Sequence, residues 1–202
     1  MTAVVPLPAP SARAVLADIL PGARVRDTAL VLGGAAFVAA VGQVAVPLPF
    51  TPVPLTLGTF AVLLVGAALG PARGALSILV LLAAGLLGAP VFAGGASGWA
   101  MASFGYALGY LPGAVLLGHL ARRGADRSPW RTAVGALFAS ALVYVVGVPW
   151  LMVFLGVGLV EALVLGVLPF LVGDAIKAVA AALLLPGTWA LLGGRGTVTG
   201  GR

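Results

Sequence analysis

One acid and one amine stand out in this chain because of where they lie. Asp174 and Lys177 sit inside LPFLVGDAIKAVAAALLL, residues 168–185, the last strongly apolar stretch, and Lys177 is the single lysine in 202 residues. At the centre of a membrane helix each such group costs about 2.5–3.5 kcal/mol on insertion scales. A spacing of three puts both on one helix face. Pro169 and Gly173 precede them, which places the pair near the start of a helix. Ionisable groups kept inside a membrane mark functional sites by default. The pair is therefore expected to face a cavity inside a helical bundle and to meet a small polar or anionic solute there. The plainer alternative is an ion pair that only neutralises itself between packed helices.

The elements that must position this pair are helices in lipid. The chain is 61% hydrophobic and 8% charged, against about 25% charged in soluble domains. This implies an all-α integral membrane protein. At about 20 residues per span the length suits one bundle of six transmembrane helices. There are no cysteines, which excludes disulfides, thiolate metal sites and cysteine catalysis. The single histidine, His119, stands near Arg122 and Arg123 and reads as interfacial. No cofactor is implied. The net charge of +6 comes without the aromatic–basic clusters that grip nucleic acid.

Read in order, residues 1–27 form a cytoplasmic tail, with a short surface helix at AVLADIL, 14–20. Arg24, Arg26 and Asp27 stand in the wrong place for a cleaved signal. The first span covers about residues 28–46. Its small residues Ala35/Ala39 and Ala36/Ala40, four apart, allow another helix to approach closely, within the bundle or from a partner. Gln43 ends it, and its amide should point inward. PLPFTPVPLT, 47–56, carries four prolines and cannot be regular helix. Being uncharged, it reads as a loop folded over or into the outer mouth, where irregular backbone survives by lining a cavity.

Further spans are expected at about 57–69, 75–87, 104–121, 132–155 and 169–185. A tight turn is expected at 70–74, and a bend at Pro186 and Gly187. Between the third and fourth spans lies GAPVFAGGASGWAMASFGY, 88–106. Its glycines allow close backbone approach. Phe92, Trp99, Phe104 and Tyr106 supply flat surface suited to a small ring compound; for Trp99 an interfacial belt is the alternative. The membrane domain is thus 28–192, followed by a flexible tail, 193–202.

The ten arginines fix the orientation. They fall at 13, 24 and 26; at 73; at 122, 123, 127 and 131; and at 195 and 202. With six spans all lie on one side, and the positive-inside rule puts both termini in the cytoplasm. The two uncharged loops and the start of the last helix then share the outer side with Asp174 and Lys177.

Four segments carry a resemblance to a known family. LPFTPVPLTLGTFAVLLVGAALGPARGAL, GLLGAPVFAGG, GYALGYLPG and GVLPFLVGDAIKAVAAALLL, in that order, resemble the BioY family, the biotin-capturing S components of energy-coupling factor (ECF) vitamin transporters. The resemblance covers roughly residues 28–192. It implies an S-component-like bundle in a prokaryotic cell membrane, biotin held near the outer face, and no catalysis. It implies ligand-binding roles for Asp174 and Lys177, and associates Gln43 and Tyr106 with the same pocket. It also implies that Ala35/Ala39 or Ala36/Ala40 meets a membrane-embedded coupling subunit, which acts with ATP-binding cassette ATPase subunits. Two departures stand out: Gly58, where the family commonly has Gln, and ASFGY, where it often has GPTGGY.

Biotin's chemistry suits these residues. Lys177 can pair with its carboxylate; Asp174 can accept a ureido N–H or hold Lys177 oriented. The chain has no G-x-x-x-x-G-K-[ST] loop for ATP. The rival readings are an S component or small carrier for another vitamin or small organic anion, and a membrane enzyme. The enzyme lacks equipment: Glu161 and Asp174 are the only acids beyond residue 126.

Overall fold

The computed structural model describes residues 14–20 and 24–194. The helices are α1 (Arg24–Gly42), α2 (Gly58–Leu69), α3 (Pro71–Leu86), α4 (Phe104–Arg122), α5 (Pro129–Leu155), α6 (Leu159–Gly166) and α7 (Leu171–Gly194). Long apolar runs with few charges leave the backbone no partner but itself, and helix is the result. Four segments among the described residues are long and apolar enough to cross a membrane: Arg24–Gly42, Phe104–Arg122, Pro129–Leu155 and Leu159–Leu192. α2 and α3, at 12 and 16 residues, are shorter.

α1 packs on α3 and α2, α4 packs on α2, α3 and α5, and α7 packs on α5 and α2. Small residues let these axes come close. A Cβ on Gly66 of α2 would stand 2.6 Å from the Ala114 carbonyl oxygen of α4. A Cβ on Gly109 of α4 would stand 2.7 Å from Val143 Cα of α5. Large apolar side chains such as Phe138, Val153, Ile176 and Leu183 remain exposed on the outside of α5 and α7, as a lipid-facing surface requires.

Several boundaries differ from the sequence reading. α1 starts at Arg24, so the tail boundary drawn at residue 27 falls inside a helix. The expected turn at 70–74 shrinks to Gly70, whose φ of +83° suits glycine, because Pro71 takes the first position of α3. α7 continues through Pro186 to Gly194. The expected surface helix at 14–20 is a short 3-10 turn, Leu16–Ile19, with Val15 and Ala17 buried in the core. It is held by charge. Asp18 accepts the Val15 N–H at 3.2 Å and pairs with Arg73 at 2.9 Å, while Arg122 lies 3.9 Å away. At the same end Trp189 donates to Asp126 at 2.6 Å, and Arg127 lies over the Trp189 ring and donates to the Ala14 carbonyl. Arginine-bearing segments thus gather at one end of the bundle. Residues 195–202, with Arg13, lie outside the described residues.

The opposite end holds the two uncharged segments. The proline-rich stretch forms a hairpin in which β1 (Ala45–Val46) pairs antiparallel with β2 (Leu55–Thr56). Its tip is tied to α6 by the Thr51 hydroxyl, which donates to the Leu165 carbonyl at 2.8 Å. The glycine-rich segment turns through Gly94, Gly95 and Gly98, all at positive φ.

Candidate functional site

Pro169 lies in a 3-10 turn, Leu168–Phe170, and α7 follows directly, so Asp174 falls in its first turn. Lys177, one turn on, donates from Nζ to Asp174 Oδ1 at 3.0 Å. Only 6% of Asp174 and 7% of Lys177 is exposed, so neither charge can be met by bulk water. The other carboxylate oxygen, Oδ2, accepts the Tyr144 hydroxyl from α5. Charge-assisted bonds of this kind hold a buried carboxylate in place.

Tyr144 stands edge-on to Tyr106 of α4, with ring centroids 6.3 Å apart and planes at 86°. The Tyr106 hydroxyl donates to the Gly166 carbonyl at 2.9 Å. Gly147 makes room for its ring, since a Cβ there would lie 2.6 Å from Tyr106 Cδ1. Tyr106 therefore offers the site its ring, and its hydroxyl is engaged elsewhere.

These side chains open onto a cavity of about 780 Å³, counting its open mouth, with Asp174, Lys177, Tyr144, Tyr106, Tyr110 and Phe92 on its wall. The mix of apolar wall and few polar anchors is that of small-molecule sites. The hairpin contributes Val53, Pro54 and Thr56, and the glycine-rich segment contributes Phe92, Met101 and Ser103. Among the described residues no group of His, Cys, Asp and Glu could hold a metal ion.

The other sequence candidates divide. Phe92 is buried on the cavity wall, edge-on to Phe104 at 6.1 Å and seated on Gly85. Gln43 does not point inward as expected. It is exposed just beyond α1, where its Nε2 donates to the Phe92 carbonyl at 3.0 Å and its Oε1 accepts the Gly95 N–H at 2.9 Å. The loop backbone satisfies the amide, so burial in the bundle is not needed. Trp99 is 63% exposed, stacks edge-on with Trp150 at 6.5 Å, and lies outside the cavity wall. In α1, Ala35 is buried in the core and Ala39 is half-buried against it, whereas Ala36 and Ala40 are exposed. Ala35 is thus spent on packing within the bundle.

Sequence reasoning missed Tyr144, Tyr110, Thr56 and Thr59. Tyr144 carried a signal as the sole tyrosine of an apolar span. Tyr110 carried another, standing four residues after Tyr106 and hence on the same helix face.

The model of the BioY family matches residues 12–194. The biotin transporter BioY of Rhizobium etli is 34% identical over 170 residues, covering 79% of this chain and 90% of that protein. The probable biotin transporter BioY of Pyrococcus horikoshii is 40% identical over 133 residues, covering 66% and 78%. A crystal structure of the S component for biotin from an ECF-type ABC transporter superposes with a TM-score of 0.73 at 28% identity, covering 82% of this chain and 92% of that one. With a match that spans every helix around the cavity, the chain belongs to the BioY family.

Proposed function

We propose that this chain captures biotin as the substrate-binding membrane subunit of an ECF-type uptake transporter. The observation that carries the reading is the buried Asp174–Lys177 pair on the wall of a cavity roofed by two uncharged loops. The pair sets an acceptor and a cation side by side in an apolar hollow. That suits a ligand with a ureido ring and a carboxylate, and transporters similar to this chain are named for biotin. Binding, not catalysis, is the role of such a site.

In this reading α2 and α3 cross the membrane with the other helices, and the roofing loops make up the missing thickness, giving six spans. Both termini lie in the cytoplasm, because Arg73, Arg122, Arg123, Arg127 and Arg131 all belong to one end of the bundle. The protein sits in the plasma membrane of a prokaryotic cell. Energy comes from a coupling membrane subunit and paired ATPase subunits. The exposed Ala36 and Ala40 offer the coupling subunit a smooth helix face.

The test is saturable binding of labelled biotin to the purified protein in detergent, with thiamine and riboflavin as controls. Tight biotin binding that Lys177→Ala abolishes is the expected result. Preference for another vitamin overturns the reading.

A further inference from the structure

A second polar group lies on the same cavity wall, built from other elements. The Tyr110 hydroxyl of α4 lies beside the hydroxyls of Thr56 on β2 and Thr59 on α2, and all three residues line the cavity. The Thr56 Oγ1 accepts the Gly58 N–H at 3.2 Å, so its own proton remains available to donate. Gly58 explains how Tyr110 fits. A Cβ there would stand 2.5 Å from the Tyr110 hydroxyl oxygen and 3.2 Å from Thr56 Oγ1. Gly58 is not among the glycines at positive φ, so the backbone does not demand glycine. What the missing side chain gives is space on the cavity side.

We propose that Tyr110, with Thr56 and Thr59 beside it, contacts the ligand directly and helps set its specificity, and that Gly58 is small so that this hydroxyl group can stand there. The inference rests on the biotin-binding reading and adds a second anchor to it. A ligand with polar groups at both ends of an apolar body loses water from both when it enters. Each end must then find partners, or the unpaired group weakens binding. The α7 pair supplies some of those partners, and the three hydroxyls supply others. Neutral hydroxyls do so without burying further charge beside Lys177.

The experiment is equilibrium binding of labelled biotin to the full chain in detergent, for the parent, Tyr110→Phe, Thr59→Val, Gly58→Ala and the Gly58→Ala/Tyr110→Phe double variant, with Lys177→Ala alongside. Tyr110→Phe is expected to weaken binding about tenfold, the worth of one buried hydrogen bond to the ligand, beside a small fall in the thermal midpoint without biotin as Thr56 and Thr59 lose their shared partner. Thr59→Val keeps the shape, deletes the hydroxyl and shifts affinity the same way. Gly58→Ala weakens binding by displacing Tyr110, and the double variant is no weaker than Tyr110→Phe, because the two changes act on one group. Repeating the series with the carboxamide of biotin tells which end is held. A loss confined to biotin assigns the hydroxyls to the carboxylate, an equal loss assigns them to the ring, and both support direct contact. Parent affinity in Tyr110→Phe beside a defective Lys177→Ala overturns the inference alone. A parent that binds no biotin overturns the functional reading and the inference with it.

Discussion

Tyr144 on α5 donates its hydroxyl to Asp174 Oδ2 on α7, the carboxylate oxygen that Lys177 leaves untouched. The acid is thereby fixed from two sides, along its own helix and across the bundle. Tyr144→Phe leaves Oδ2 buried without a partner, a loss of about 1–3 kcal/mol. Biotin affinity and the thermal midpoint should both fall, measured by equilibrium binding and by melting in detergent. Affinity equal to the parent's would show that Tyr144 is not needed to hold the acid.

Removing one partner of the α7 pair differs from removing both. Lys177→Met strands a buried carboxylate, which costs about 3–5 kcal/mol. The double variant Asp174→Leu/Lys177→Met strands no charge, only the Tyr144 hydroxyl that loses its acceptor, and should recover much of that stability while still failing to bind biotin. Melting curves and binding isotherms on the same samples separate the two effects. A double variant that still binds would mean that the pair is architectural.

Gln43 acts on the site without lining it. Its amide is bonded to the backbone at Phe92 and Gly95. Gln43→Ala should loosen the segment that carries Phe92, at about 0.5–1.5 kcal/mol per bond lost. The expected signature is faster biotin release with little change in overall melting, read by stopped-flow or by washout of labelled ligand.

Asp18 lies outside the spans and gives stability a pH dependence. Burial alone would raise its carboxyl, but the Val15 N–H and the guanidinium groups of Arg73 and Arg122 outweigh burial and hold it below the ordinary carboxylate value. Its folded pKa is thus lower than its unfolded one. The stabilisation is full above the unfolded value of about 3.9 and drains away as pH falls through the folded value. Because the pair is partly exposed, the effect should be under about 1 kcal/mol. Asp18→Asn should melt slightly lower than the parent at about pH 7, with the gap closing towards about pH 3. A gap that stays constant in acid would rule this carboxylate out as the cause.

Ala36 is exposed where Ala35 is buried, so under the proposed docking of a coupling subunit this position would separate capture from energised uptake. Ala36→Trp should leave biotin binding by the isolated protein unchanged. It should abolish co-purification with the coupling subunit and reduce uptake by cells to background. Normal uptake would place the partner on another face.

Much of the fold was legible because lipid forces a simple choice on apolar sequence. The expected limits of α2 and α4 match the observed helices to within a residue. The site was half legible. Asp174 and Lys177 announced themselves as charges where charge is costly, and Phe92 as an aromatic beside glycines. Tyr144, Thr56 and Tyr110 meet only through helix register and a hairpin, which no local pattern encodes. Residues 14–20 misled for a related reason, since AVLADIL is too short to span and becomes core only when Asp18 finds Arg73 and Arg122. Trp99 and Gln43 show the reverse. Each looked like wall material, yet the path of the glycine-rich loop leaves one outside and makes the other a clasp.

The two ends of the bundle are closed by different forces. The roof over the cavity is fastened by uncharged donors and acceptors, Thr51 to Leu165 and Gln43 to Phe92 and Gly95. The far end is fastened in part by guanidinium–carboxylate pairs, Arg73 with Asp18 and Asp27. Dissolved electrolyte screens the second kind of fastening and barely touches the first. An organism living in brine and one living in fresh water could therefore use the same lid unaltered, while the charged end would have to be retuned for each.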